Sequence, residues 1–165
     1  MNEAMGYDFF INVFADGAFA AVAAIGFASI SNTPSRAYAA CGITAAAGHA
    51  VRYVLTQASM NIIPASTVAA LVVGLLGVFF ARIRKFPAEV CFFPALLPMI
   101  PGMYAYRAVE GLFYCMGNAS EAVFNHYMYM FASNGLTCVF IVLGMVLGAN
   151  VPVFLLKKIS FQATR

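Results

Sequence analysis

Three ionisable residues lie near the middle of two long apolar stretches of this chain, where they could carry charge or protons. Asp16 falls in the apolar run 7–31, and His49 and Arg52 fall in the run 37–58. A charged side chain within a bilayer costs roughly 2.5–3.5 kcal/mol on insertion scales, so such residues usually have a partner or a function. Histidine adds a group that gains and loses a proton near neutral pH. These residue types therefore predict a site for charge or proton transfer.

Antiparallel packing of the two runs would bring these residues to one level. At ~1.5 Å per residue, Asp16 and His49 each lie within about 4 Å of the middle of their runs. His49 and Arg52 are three residues apart and share a helix face. Two interpretations are open at this point. Either Asp16 and Arg52 form a structural ion pair while His49 bonds a helix carbonyl, or Arg52 binds an anion while Asp16 or His49 accepts a proton.

The sequence Pro98-Met99-Ile100-Pro101-Gly102 is a second candidate feature, in the middle of another apolar stretch. Each proline removes a backbone N–H and clashes with the preceding turn, so the motif predicts a broken membrane helix. Broken helices are tolerated at this depth where they face protein or a water-filled cavity, and they mark substrate sites in many transporters. A helix that restarts after Pro101 would present free amides from Gly102 to Tyr104, which suit a carboxylate. The alternative is a simple packing kink.

The elements that hold these residues follow from composition. Hydrophobic residues make up 63% of the 165 residues and charged residues only 9%, against about 25% charged in soluble proteins. We therefore predict an all-α integral membrane protein that forms a single five-helix transmembrane domain, residues 1–165. The predicted spans are 7–31, 37–58, 64–83, 88–116 (broken at Pro98–Gly102) and 133–156. Gly144 and Gly148 in the last span have the GxxxG spacing that lets helices pack closely.

Charged loop residues set the predicted orientation. With five spans, the positive charges fall on one side of the membrane: Arg36, Arg82, Arg84, Lys85, Lys157, Lys158 and Arg165. The positive-inside rule then places the N-terminus outside and the C-terminus in the cytoplasm.

Several classes of function lack their sequence signals. The four cysteines are widely spaced and form no metal motif, so we interpret them as packing residues and expect no metal or cofactor. The net charge of +3 reflects membrane orientation and not nucleic-acid binding. The chain has no phosphate-binding GxxxxGK[ST] loop, no Gly-x-Ser-x-Gly and no paired intramembrane aspartate. We therefore expect neither ATP use nor enzymatic activity.

Short motifs spread over the chain match one family in order and spacing. They are Asp16, Gly26-Phe27-Ala28, Asn32-x-Pro34-x-Arg36-Ala37, Cys41, Gly48-His49-x-x-Arg52, Asn61-Ile62, Val73-Gly74 with Gly77, Arg82, and Pro98-Met99-x-Pro101-Gly102 with Ala105-Tyr106. With these motifs the chain resembles the threonine/serine exporter family, and within it the small subunit of the split, two-gene form (the YjjB type).

The resemblance implies a subunit of a secondary transporter in the inner (cytoplasmic) membrane. Its substrates would be small carboxylates, either threonine and serine or dicarboxylates such as succinate, exported with proton coupling. It also implies a larger five-span partner subunit, and an odd number of spans would give the pair an inverted-repeat arrangement. A higher oligomer stays open. The alternative is a non-transporting assembly or scaffold subunit of the membrane, which gives no reason for the broken helix.

The residue chemistry, together with the resemblance, predicts roles for individual residues, none of them catalytic. The expected substrate-binding residues are Arg52, Pro101, Gly102, Tyr104 and Tyr106. Proton or charge coupling would fall to Asp16 and His49. The expected gate residues are Asn32, Arg36 and Arg82.

Overall fold

A computed structural model describes residues 2–117 and 120–156, and every regular element in these two ranges is helical. The α-helices are α1 (Asn2–Ile30), α2 (Tyr38–Gln57), α3 (Ile62–Arg84), α4 (Glu89–Leu96), α5 (Gly102–Gly117) and α6 (Glu121–Leu155). Short 3-10 helices cover Ser35–Ala37 and Leu97–Met99. The predicted all-α class is confirmed. Lys157, Lys158 and Arg165, which helped to set the predicted orientation, lie outside the described residues.

Three of the described helices are long and apolar enough to cross a membrane on their own. They are Asp8–Ile30, Ile62–Arg84 and Glu121–Leu155, and the pair Ala88–Met99 and Gly102–Gly117 makes a fourth if it is one broken span. The predicted break at Pro98–Gly102 is confirmed, because α4 ends before it and α5 begins at Gly102. Helix α2 has 20 residues but is not among these helices, because polar residues such as His49 and Arg52 dilute its hydropathy. Five spans and their orientation therefore stay a prediction.

Non-glycine residues with positive φ end three of the helices. They are Asn32 (53°), Ser59 (63°) and Lys85 (55°). At the first of these ends, the amide of Thr33 reaches back to the carbonyl of Ala28 at 3.0 Å, the pattern of a helix stopped by a left-handed residue. Such stops set where each helix ends, and so which residues of neighbouring helices meet.

The chain divides into two compact units. The first contains the residues up to Met99 and those from Gly144 onward, and the second is Ile100–Leu143. Helix α6 contributes to both units. The first unit contains Asp16, His49 and Arg52, whereas the residues after the break belong to the second.

The first unit is built around α2, which packs against α1, α3 and α4. Its core is rich in small side chains, which let helix backbones approach closely. The fully or almost fully buried alanines of this unit are Ala20, Ala24, Ala28, Ala37, Ala40, Ala45, Ala65, Ala69, Ala70, Ala81, Ala88, Ala95 and Ala149. Gly144 and Gly148 of α6 both lie against Thr67 of α3, so the predicted packing role of the GxxxG spacing is confirmed.

The second unit is a hairpin of α5 and the first part of α6. A Cβ added at Gly111 would lie 2.9 Å from the backbone nitrogen of Phe131, so the two helices touch at this point. The rings of Tyr114 and Tyr127 stack with centroids 4.7 Å apart. These contacts show that α6 begins well before the predicted span at 133, as a helix that packs on α5.

Candidate functional site

Asp16 and His49 meet at the interface between α1 and α2. The Nδ1 atom of His49 lies 3.1 Å from Oδ2 of Asp16. The histidine side chain is 6% exposed and the aspartate side chain 38% exposed. The prediction that the two residues lie at one level is confirmed. Asp16 keeps an open side, whereas the imidazole is enclosed by protein.

Arg52 of α2 binds the end of the broken helix. Its Nη1 donates a hydrogen bond of 3.0 Å to the carbonyl of Met99, the last residue of the 3-10 helix. Regular helical bonding stops at this point, so the carbonyls at the end of a half-helix need other partners. They also carry the negative end of the helix dipole, which a guanidinium neutralises. Arg52 therefore fastens α2 to the break.

The imidazole of His49 is shared between the acidic and the basic residue. Besides Asp16, its Nδ1 lies 3.5 Å from Nη2 of Arg52. A protonated Nδ1 donates to Asp16, whereas an unprotonated Nδ1 can accept from Arg52. Nε2 is buried without a partner in full hydrogen-bond geometry, although the carbonyl of Pro98 lies near enough to interact with the ring. We call Asp16, His49, Arg52 and the Met99 carbonyl the charge array.

The pairing within this array differs from the ion pair that the sequence suggested. Among the residues that the structure describes, the ion-pair partner of Asp16 is His49 and not Arg52. The ion-pair interpretation of the sequence paired Arg52 with the carboxylate of Asp16 and His49 with a helix carbonyl. In the structure, His49 contacts the carboxylate and Arg52 binds the carbonyl of Met99. The physical reason is the break, which offers the arginine a carbonyl at a helix end.

The residues after the break belong to the second unit. Pro101 is buried, Tyr104 is half-buried and Tyr106 is 63% exposed. The amide of Gly102 bonds the carbonyl of Ile100 at 2.8 Å, and that of Tyr104 bonds the carbonyl of Pro101 at 3.1 Å. The prediction that these two amides are free is wrong, because tight turns at the break use them locally. Substrate binding by the four residues stays a prediction.

The three predicted gate residues lie at helix ends of the first unit. Asn32 terminates α1 with a φ of 53° and lines a cavity of about 460 Å³. Arg36 is exposed in the 3-10 helix Ser35–Ala37, and Arg82 is exposed in the last turn of α3. Residues at these helix ends can anchor the helices at the membrane surface as well as gate a path, so the gating role of the three residues stays a prediction.

Gly48, directly before His49, is a packing residue of α2 next to the charge array. A Cβ at this position would overlap Cγ2 of Val73 and lie 3.4 Å from Sδ of Met99. The missing side chain therefore lets α2 approach α3 and the end of the broken helix closely. The small-residue run Ala45-Ala46-Ala47-Gly48 indicates a packing surface, but the sequence did not predict the contact with Met99.

Comparison with known proteins assigns the family. The family model described as "Threonine/Serine exporter, ThrE" matches residues 16–155. A Haemophilus influenzae protein described as "Uncharacterized protein" is 33% identical over 140 residues, which cover 84% of this chain and 47% of that protein. This chain thus spans about half the length of the curated relative, and no solved structure matches it. Because the family model covers most of the chain, including the whole charge array, the chain belongs to the threonine/serine exporter (ThrE) family.

Proposed function

We propose that the chain is one subunit of a proton-coupled secondary transporter that exports small carboxylate metabolites across the inner membrane. Threonine and serine are the first substrates to consider, and dicarboxylates such as succinate are the second. Family membership supports export. The observation that carries the mechanism is the partly buried contact of 3.1 Å between His49 and Asp16 next to a broken helix.

The charge array can exchange a proton without large movements. Nδ1 of His49 lies 3.1 Å from the carboxylate and 3.5 Å from the guanidinium, and it cannot serve both at once. When Nδ1 carries a proton, it holds Asp16. When Nδ1 loses its proton, it can hold Arg52 instead. The protonation state of one ring atom thereby selects the partner of both charged side chains.

Arg52 is the residue that would bind the carboxylate of the substrate. A carboxylate binds a guanidinium through two parallel, charge-assisted hydrogen bonds, which are stronger than a bond to a neutral carbonyl. A substrate carboxylate would therefore displace the Met99 carbonyl, which Arg52 holds at 3.0 Å. The end of the half-helix is then released from α2. Substrate binding and movement of the broken helix are coupled in this way.

A partner subunit completes the proposed transporter. We propose five spans with the N-terminus outside, where α2 is the span shielded from lipid because it carries the charge array. The chain covers 47% of its curated relative, so a second, larger five-span subunit in inverted orientation would supply the other half. Two such repeats of opposite orientation suit alternating access.

Counterflow of labelled serine and of labelled succinate in membrane vesicles tests the proposal. Vesicles would contain the chain with the partner, the chain alone, or neither. We expect uptake only with both subunits, and loss of uptake in Arg52→Ala and His49→Ala with normal membrane insertion. The matched control is Arg84→Ala, because Arg84 is exposed at the end of α3. Absence of counterflow in vesicles that hold both folded subunits would favour the scaffold alternative.

A further inference from the structure

The charge array does not account for the cavity that Asn32 lines, which lies in the first unit at the C-terminal end of α1. It has a volume of about 460 Å³, within the range of roughly 300–1,000 Å³ that is usual for small-molecule sites. Ser31, Asn32 and Thr33 line one side, and Glu89 and Phe93 line the other. We call this cavity the Glu89 vestibule. It lies about 22 Å along α1 from Asp16, since fifteen residues separate Asp16 from Ser31.

The electrostatics of the Glu89 vestibule favour a cation. Among the described residues that line it, Glu89 is the charged one. The vestibule also faces the C-terminal end of α1, a helix of 29 residues, whose last carbonyls carry the negative end of the dipole. Side-chain oxygens of Ser31, Asn32 and Thr33 can accept further hydrogen bonds there. A carboxylate, a helix C-terminus and several acceptors together suit an ammonium group.

The rest of the lining limits the size and the shape of the ligand. Phe92 and Phe93 both line the vestibule, Phe92 buried at 6% exposure and Phe93 56% exposed. Aromatic faces attract ammonium groups and also cover small apolar groups. A small molecule with one ammonium group fits these surfaces. A dicarboxylate would meet the carboxylate of Glu89, and the described lining residues include no cation to offset the repulsion.

We propose that the Glu89 vestibule binds the primary ammonium group of a small molecule, and that it selects amino acids over dicarboxylates as substrates. The second part rests on the proposed transport function. An amino acid would be recognised in turn at two places along the path, by its ammonium group at Glu89 and, about 22 Å away, by its carboxylate at Arg52.

Binding to the purified full-length chain in lipid nanodiscs tests the first part. The nanodiscs contain phosphatidylcholine and phosphatidylglycerol, so no lipid headgroup brings a primary ammonium. Calorimetry should show binding of serine and of ethanolamine, and weaker binding of succinate, which has no ammonium group for the vestibule and only Arg52 as a binding group. Glu89→Gln should weaken serine binding at least roughly tenfold, because a charge-assisted bond is lost. The matched control is Glu121→Gln, another glutamate in the first turn of a helix.

Replacing the phosphatidylcholine with phosphatidylethanolamine identifies the source of the ammonium group. Weaker serine binding in these nanodiscs would show that the lipid headgroup occupies the vestibule as well, whereas unchanged binding would show selectivity for the free amino acid. The proposal is overturned if serine does not bind, if succinate binds as tightly as serine, or if Glu89→Gln binds serine like wild type.

A counterflow assay distinguishes substrate selection by the vestibule from the proposed transport function itself. In vesicles with both subunits, Glu89→Gln should slow serine counterflow and narrow the preference for serine over succinate. If wild type shows no counterflow, the proposed transport function is refuted. The nanodisc experiment still tests whether the vestibule binds an ammonium group. If wild type transports and Glu89→Gln slows both substrates equally, selection by the vestibule is refuted.

Discussion

The substitution Gly48→Ala tests how the fold holds the charge array. A methyl group at this position overlaps Cγ2 of Val73, which is fully buried and β-branched and so has little freedom to turn aside. It also lies 3.4 Å from Sδ of Met99. Non-bonded carbons need about 3.5 Å of separation, so α2 must move from α3 by on the order of 1 Å. Overpacking of this kind costs about 1–3 kcal/mol.

A movement of α2 by that distance would also displace His49, the residue directly after Gly48. Its contact with Asp16 is 3.1 Å and the bond from Arg52 to the Met99 carbonyl is 3.0 Å, so ~1 Å of displacement would break either one. Unfolding of the purified chain in detergent should therefore show a loss of about 1–3 kcal/mol, and serine counterflow with the partner should fall with it.

The control for this substitution is Gly26→Ala in α1, where an added Cβ meets no atom within 4 Å. It should leave stability unchanged or raise it by about 0.5–1 kcal/mol, because alanine favours helix over glycine. Equal stability of Gly48→Ala and Gly26→Ala would refute the close approach of α2 and α3 on which the array depends.

Three further substitutions have distinct expected outcomes. Asp16→Asn keeps the shape of the side chain but removes its charge, so serine counterflow should fall at least roughly tenfold, whereas Asp8→Asn at an exposed position should transport normally. Arg52→Lys offers a point charge in place of two nitrogens that reach Met99 and His49, so it should also impair counterflow while Arg84→Lys does not; wild-type rates in Arg52→Lys would contradict this assignment. Asn32→Gly removes the strain of a positive φ of 53° and should leave thermal stability equal or higher, but it should weaken serine binding if the amide side chain contributes to the vestibule.

The sequence predicted the fold well where the signal is local. Long apolar runs predicted the helices, and two prolines with a glycine predicted the break at Pro98–Gly102, because both effects act within a few residues. The residue count along two antiparallel runs also brought Asp16 and His49 to one level. The predicted count of five spans is not confirmed, because α2 carries the polar residues of the site and its hydropathy is too low for it to count as a candidate span.

The pairing of the charges could not be predicted from the sequence. Asp16 and Arg52 have opposite charges and similar depth, and only the three-dimensional structure shows that the Met99 carbonyl takes the guanidinium at 3.0 Å. Every residue has a backbone carbonyl, so a sequence pattern does not show which carbonyl competes with an acidic side chain for the guanidinium. The proposed role of Glu89 could not be predicted for a related reason. It depends on a cavity that Glu89 shares with a loop 55 residues earlier in the chain, around Pro34.

The central claim is that the charge array couples export to proton movement through His49. The most direct measurement is the pH inside vesicles that hold both subunits, recorded with a trapped dye when serine is added outside. We expect a serine-dependent pH change with wild type and none with His49→Gln, which fills a similar volume but does not titrate. A His49→Gln transporter that moves both serine and protons like wild type would contradict the account.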